Sequence, residues 1–213
     1  MNNDNKSHCD DKQENNHNNN IASRRSAFSP YRPSTVLTNL QRGNIQTQTS
    51  SEPPVRNIHQ LAALGELFAS NLDSTLVNIP DDNGLTPILW AAFNGQLVSL
   101  NLLHTHGADP HYKGPSGENA LSMASANGHT HVVKALLGLG VNVNATDEDG
   151  NTALMYAAYK DHKSCVQELL DHGADLTLEN SNLDTAFDIS VKRGCKEVQS
   201  VIEKHILKTF TNK

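Results

Sequence analysis

The chain carries eleven histidines and three cysteines, the side chains that most readily bind a metal or move protons. Histidine clusters first as "HTH" at 104–106 and again as "HTH" at 129–131, with His111 between. His129, after a Gly, and His162, after Asp161, each lie at the Gly-His position between two helical patterns, and His106 and His172 each precede a helix-ending Gly. There a partly cationic ring suits the negative end of a helix, so a structural role suffices. No HExxH, no pocket-like pair of carboxylates and no phosphate-cradling Gly loop occurs, and each would be needed for the corresponding chemistry. The cysteines are odd in number and far apart: Cys9 in a polar stretch, Cys165 in "CVQELL", Cys195 after a Gly. Without a CxxC they imply neither a disulfide framework nor a zinc knuckle. No catalytic residue, metal or cofactor is expected.

Recognition is the other chemistry available. Trp90, the one tryptophan, lies in "GLTPILWAAFNG", with Phe93 three residues on; Tyr156 and Tyr159 repeat that spacing. Residues i and i+3 share a helix face, so each pair makes an aromatic patch. Met123, flexible and flanked by small residues, falls midway between Trp90 and Tyr156.

What must position these rings is a repeat. Gly84, Gly117 and Gly150 are 33 residues apart, as are Gly107, Gly140 and Gly173. Thr86, Thr152 and Thr185 fall on the same grid, with Asn119 in the remaining place. That period, with "TPILWAA" after a Gly turn and "LLHTHGADP" at the close, is the ankyrin-repeat signature. It predicts an all-α solenoid of about five helix-turn-helix units joined by β-hairpin fingers. The units fall at about 55–80, 81–113, 114–146, 147–179 and 180–213. Gly supplies the positive φ of each finger turn, Thr caps the first helix, and Pro87 sits in a first turn, where no N–H is missed. Small pairs (Ala91–Ala92, Ala124–Ser125, Ala157–Ala158) let first helices approach, and Leu pairs such as Leu136–Leu137 face the core. Terminal units should be atypical. The first is short and lacks the Thr-Pro pair; the last has Leu183 at the turn-Gly position and a longer, Lys-bearing helix.

On this grid the residue before the small pair is Gln60, Trp90, Met123, Tyr156 and Ile189; three residues on come Ala63, Phe93, Ala126, Tyr159 and Lys192. Two readings stand for each ring, inter-unit core or exposed groove, since amphipathic rings serve as both. As a column on the concave face they favour a groove, because exposed aromatic patches mark partner sites. The fingers beside them carry Asp81, Asp82 and Asn83, then Glu118, then Asp147, Glu148, Asp149 and Asn151, with Asp184 beyond. This acidic rim would steer a basic or neutral peptide.

Only 37% of the chain is apolar, which suits one domain plus a segment that does not fold alone. Residues 1–54, Asn-rich and then Ser- and Pro-rich, cannot bury enough apolar surface to offset chain entropy and are expected to be disordered; 55–213 should form the repeat domain. Through Arg56 there are seven Lys/Arg against five Asp/Glu, and beyond it ten against eighteen, a net of −8. Gripping DNA phosphates takes clustered positive charge, so DNA contact is expected only through partners. The polar start argues against a signal peptide, and no apolar run approaches membrane-spanning length. A soluble protein in a reducing compartment is expected.

The segments "NIHQLAALGEL", "GLTPILWAAFNGQ", "ENALSMA", "DGNTALMYAAYKDHKSCVQELL", "GADL" and "IEKHILKTF" resemble the family of ankyrin repeat family A and RFX-associated ankyrin (RFXANK) proteins, over Asn57 to Phe210. "VLTNLQRGN", ahead of the repeats, looks like a stretch that precedes them in that family. The resemblance implies a non-catalytic adaptor of nucleus and cytoplasm. It would bind linear Pro-x-Leu-Pro-x-Ile/Leu peptides of regulatory factor X proteins, class IIa histone deacetylases and megalin-type receptor tails, as a transcription-regulatory subunit of a regulatory factor X-type complex. The alternative is a cytoplasmic scaffold for receptor tails or deacetylases with no promoter role. A proline-stiffened extended peptide has a low ordering cost on binding. The residues matching the family's groove are Trp90, Met123 and Tyr156, with Glu118 and the Asp149–Asn151 finger beside them. Phe93 and Tyr159 are bulkier than the family's pattern, and "DEDGN" stands where relatives have "DWNGG".

Overall fold

The computed structural model describes residues 56–211; the tail expected at 1–54 lies outside the described residues. Nine α-helices follow one another among the described residues: α1 Ile58–Leu64, α2 Pro87–Phe93, α3 Leu97–Thr105, α4 Ala120–Ala126, α5 Thr130–Gly138, α6 Ala153–Tyr159, α7 Lys163–Asp171, α8 Ala186–Arg193 and α9 Lys196–Thr211. From α2 onward they form four antiparallel pairs. Before them α1 is followed only by a one-turn 3-10 helix, Ala69–Asn71, where a second helix would stand. The first helices pack in a row, α1 on α2, α2 on α4, α4 on α6 and α6 on α8; α3, α5, α7 and α9 form a second row behind.

Residue size explains the close first row. Ala91, Ala92, Ala124, Ser125, Ala157 and Ala158 are completely buried between neighbouring units. In the second row Leu103, Leu136 and Leu169 are equally sealed. These helices span seven to nine residues up to α8, too short to persist alone, so stacking is what holds them.

Histidine ties unit to unit. The Nε2–H of His129 donates to the Phe93 carbonyl at 3.0 Å, and that of His162 to the Ala126 carbonyl at 3.2 Å. Each ring lies where a Cβ on the preceding unit's glycine, Gly95 or Gly128, would have to be. Gln96 fills the same place over Gly65. His106 and His172 instead close their own helices, each Nδ1–H donating at 2.8 Å to the carbonyl four residues back. Burial pushes the His162 imidazole below its ordinary value; the charges of His129 and Lys160 act the same way, while the Ala126 carbonyl and Asp161 oppose them. A proton is thus held less readily in the folded state than in the unfolded one, so stability present above the ordinary histidine pKa is lost as pH falls below it. The melting temperature should therefore drop between pH 7.5 and pH 5.5. His162→Gln, which copies Gln96, should shrink that drop in a thermal melt series; an unchanged drop would exclude His162 as a source.

The expected fingers form, each reduced to a tight turn. In all four, the first residue's N–H donates to the carbonyl four residues on (Asp81 to Leu85, Gly114 to Glu118, Asp147 to Asn151, Asn180 to Asp184). Among the described residues two of the four are also closed by a single antiparallel bridge, Lys113 with Asn119 and Thr146 with Thr152. The fourth turn residue takes the left-handed conformation: Gly84, Gly117 and Gly150 at φ 76° to 78°, and Leu183 at φ 60°. Leu183 is 76% exposed, so its side chain contributes little that offsets the strain. Leu183→Gly should stabilise the fold by about 0.5–1 kcal/mol, the relief of left-handed strain less the added freedom of the unfolded chain. Urea titration checks it; a loss of stability would mean the leucine packs on something in solution.

The first-helix caps hold with one exception. Asn119, Thr152 and Thr185 each accept from the backbone N–H three residues on. Thr86 does not. The Leu89 N–H goes to the Thr86 main-chain carbonyl at 3.1 Å instead, and the Thr86 hydroxyl is buried without a partner.

Candidate functional site

The rings and the fingers prove to be one structure. The Trp90 Nε1–H donates to Asp81 Oδ2 at 2.9 Å, and the Tyr156 hydroxyl to Asp147 Oδ2 at 2.5 Å. Each acid opens the finger that leads into its ring's own helix. The other carboxylate oxygen ties the finger itself: Asp81 Oδ1 accepts from the Asn83 and Leu85 N–H, both 2.9 Å. Asp147 Oδ1 accepts from Asp149 at 3.0 Å and Asn151 at 2.8 Å. Burial works to raise the Asp81 carboxyl, but the donors of Leu85, Trp90 and Asn83 together outweigh it and hold the group below its ordinary value. Burial, then the bond to Asp147 and its charge, push the Tyr156 phenol well above its ordinary range, so it remains a donor.

Unit three lacks both partners. Gly114 stands at the acid's position and Met123 at the ring's. Glu118 takes over part of the acid's work from the far side of the turn, its Oε2 accepting from the Ser116 N–H at 2.9 Å. In the last finger Asn180 ties the Asn182 and Asp184 N–H groups, and Ile189 replaces the ring.

Of the eight residues singled out in the sequence, Trp90, Tyr156 and Phe93 are half-buried and Tyr159 is exposed. The Trp90 and Phe93 rings meet edge to face, centroids 6.1 Å apart at 81°, a favoured aromatic geometry. Met123 is buried, 4% exposed; it lies in the floor between the two patches and offers little surface of its own. Glu118 and Asn151 are half-buried in their fingers. Asn151 accepts from Asn180 Nδ2 at 2.9 Å, and the Asp149 carbonyl from the Ser181 N–H and hydroxyl, both 2.8 Å, joining adjacent fingers. The Asp149 side chain is exposed. Of the acids expected on the finger rim, Asp82, Glu148 and Asp149 face solvent; Asp81 and Asp147 are internal brackets. The roles of those two were not drawn from the sequence, nor was the Arg193 guanidinium over the Tyr159 ring, 4.3 Å from its centroid. Asp81 and Asp82 also line an open cleft of about 500 Å³ at the first end of the stack, with Ile58, Leu61, Leu76 and Ile79.

No three His, Cys, Asp or Glu side chains among the described residues stand close enough to share a metal ion. None of the described helices is long and apolar enough to cross a membrane. Among the described residues Cys165 and Cys195 are buried and take part in no disulfide.

Paired helices and fingers repeated at a fixed period make this an interaction module of the ankyrin class. The family model "Ankyrin repeats (3 copies)" matches residues 58–147, 88–180 and 121–207. Ankyrin repeat family A protein 2 of Bos taurus is 42% identical over 191 residues, covering 87% of this chain and 60% of that protein; its Homo sapiens counterpart gives the same figures. DNA-binding protein RFXANK of Homo sapiens is 41% identical over 188 residues, 86% of this chain and 72% of that protein. The chain belongs to the ankyrin-repeat family that these proteins share. It spans about 60% of the length of the family A relatives.

Proposed function

We propose that this chain is a non-catalytic adaptor whose finger-and-first-helix face binds extended, proline-containing peptides of the Pro-x-Leu-Pro-x-Ile/Leu type. The observation that carries the reading is the repeated bracket: Trp90 and Tyr156, two units apart, each pinned by an acid of its own finger and each only half-buried. A ring held this way is pre-organised, so little side-chain entropy is lost when a peptide settles on it. Phe93 and Tyr159 widen each patch, and Met123 floors the gap. Regulatory factor X proteins, class IIa histone deacetylases and megalin-type receptor tails are the partners this reading favours. Its setting is a transcription-regulatory complex, with residence in nucleus and cytoplasm. DNA would be reached through those partners, because the chain after Arg56 carries ten basic against eighteen acidic residues.

An array of Pro-x-Leu-Pro peptides with single-position scans tests the reading directly. Capture that depends on the prolines and the central leucine supports it; no capture by the folded chain sinks it. A mobility shift of an X-box duplex by the chain alone would replace it with direct DNA contact.

A further inference from the structure

We infer that the open cleft at the first end of the stack extends the peptide site, taking a large apolar side chain that flanks the core motif and a basic residue beside it. The inference rests on the peptide-binding reading and adds a further subsite to it.

The cleft, about 500 Å³, is walled by Ile58 and Leu61 of α1, by Leu76 and Ile79, and by Asp81 and Asp82 of the first finger. Leu76 and Ile79 are 43% and 47% exposed, whereas Val77 between them is sealed. The fold does not ask for apolar residues at those two places. On the 33-residue grid the place of Leu76 is held by Asp109, Asn142 and Asp175. Each of those accepts the backbone N–H two residues on, at 2.8, 3.0 and 2.8 Å, and so ties its own turn. Ile79 stands where unit three has Ala145. Unit one has replaced a turn-forming polar side chain with a leucine that half faces water. Exposed apolar surface gathered in one place marks a contact.

What occupies the cleft follows from where it lies. Asp81 belongs to both sites: it lines the cleft, and its carboxylate takes the Trp90 Nε1–H at 2.9 Å. A peptide resting on the indole therefore has the cleft next in line, over α1. Adjacent packed helices stand about 8–10 Å apart, which an extended proline-rich strand covers in about three residues at ~3.1 Å each. A residue about three places outside the core reaches it. Charge adds the second preference. Asp82 is exposed and makes no ion pair among the described residues. Arg56 also borders the cleft but is paired with Glu66, and the His59 Nε2–H donates to the Ile79 carbonyl at 2.8 Å. A lysine or arginine of the peptide meets complementary charge at Asp82.

The test uses the full chain and four labelled peptides with one Pro-x-Leu-Pro core. One has neutral polar flanks, one a Leu-Lys pair about three residues before the core, one the same pair after it. The fourth has Ser-Lys at whichever of those places binds tighter. Fluorescence anisotropy at low and high salt gives each affinity for the wild type, for Leu76→Asn/Ile79→Ala and for Asp82→Asn, with melting curves alongside. The double variant installs the residues of unit three, Asn142 and Ala145, and should fold; if it melts early, Leu76→Asn alone carries the comparison. Within each protein the ratio of extended to neutral affinity is read, so any change in core binding cancels. One Leu-Lys peptide should bind about five- to twenty-fold tighter than the neutral one, a part of what full burial of a leucine yields. In the double variant that gain should fall to the level of the Ser-Lys peptide. In Asp82→Asn only its salt-sensitive share, about two- to three-fold, should go. Extended peptides no tighter than the neutral one, a Ser-Lys peptide as tight as its Leu-Lys counterpart, or a gain that survives in the double variant overturns the inference while leaving the adaptor reading intact. A gain untouched by Asp82→Asn overturns the preference for a basic residue. Sedimentation of the chain without peptide tests the other occupant: a dimer that dissociates in the double variant, with peptide ratios unchanged, gives the cleft to a second copy and overturns the inference. Failure of all four peptides to bind removes the adaptor reading and this inference together.

Discussion

Trp90→Ala is expected to weaken capture of a Pro-x-Leu-Pro peptide by about thirty-fold or more, the roughly 2 kcal/mol typical of a central aromatic anchor. The helix carrying it should survive. Its neighbours Ile88, Leu89, Ala91 and Ala92 are completely buried and keep α2 against α1 and α4. Leu89→Ala supplies the comparison, since emptying a sealed core position costs about 2–5 kcal/mol of stability. Trp90→Phe separates the two contributions of the indole. It keeps a flat ring but removes the Nε1–H, leaving Asp81 tied only to its finger, so affinity should fall between that of the wild type and Trp90→Ala. If Trp90→Ala binds peptide as the wild type does, the aromatic face is not the docking surface. If it unfolds as readily as Leu89→Ala, the indole is core after all.

Most of the fold could be read from the chain because repeat architecture writes each structural need several times. A glycine every 33 residues specifies a left-handed turn only because the need recurs. Leu183 shows the same geometry surviving the loss of its residue, at a cost in strain. The small pairs and leucine pairs likewise announce which sides of the helices touch. What stayed hidden lies in side-chain hydrogen bonds, which have no period. Asp81 and Asp147 read as members of an acidic rim, although each spends its carboxylate on a finger and a ring. A signal was present in register. An acid nine residues before a ring with a polar tip occurs in units two and four, and in unit three the acid and the ring are absent together (Gly114, Met123). Phe93 and Tyr159, alike in position, diverge for a reason spacing cannot give. Phe93 meets another ring edge-on, whereas Tyr159 sits under Arg193, a residue of the following unit.

Asp147 is where finger and ring depend on a single side chain, and Asp147→Ala should therefore have the largest effect of any change on the face. It strips acceptors from the Asp149 and Asn151 N–H groups and from the Tyr156 hydroxyl, the last two partly shielded from water. Leaving such donors unmet costs about 1–3 kcal/mol each when fully buried. With partial exposure, a total near 2 kcal/mol is expected in urea titration. The damage should spread, because the same finger is bonded to both neighbours, through Glu148 N–H to the Ser116 carbonyl at 3.1 Å and through the Asp149 carbonyl to Ser181. Peptide affinity should fall with it as Tyr156 loses its tether. Asp147→Asn gives the discriminating result. Asn180 does the turn-tying work in the last finger with an amide oxygen, so the asparagine variant should keep the finger and lose less than about 1 kcal/mol, the range of one ordinary hydrogen bond. Its affinity should still drop, since the carboxylate oxygen that takes the phenolic proton has become an amide nitrogen. Equal stability of the alanine variant and the wild type would mean that water replaces the carboxylate without loss and the finger is held by its backbone alone. Full peptide affinity in both variants would mean that the ring needs no tether, and that its alignment comes from α6 and not from the finger in front of it.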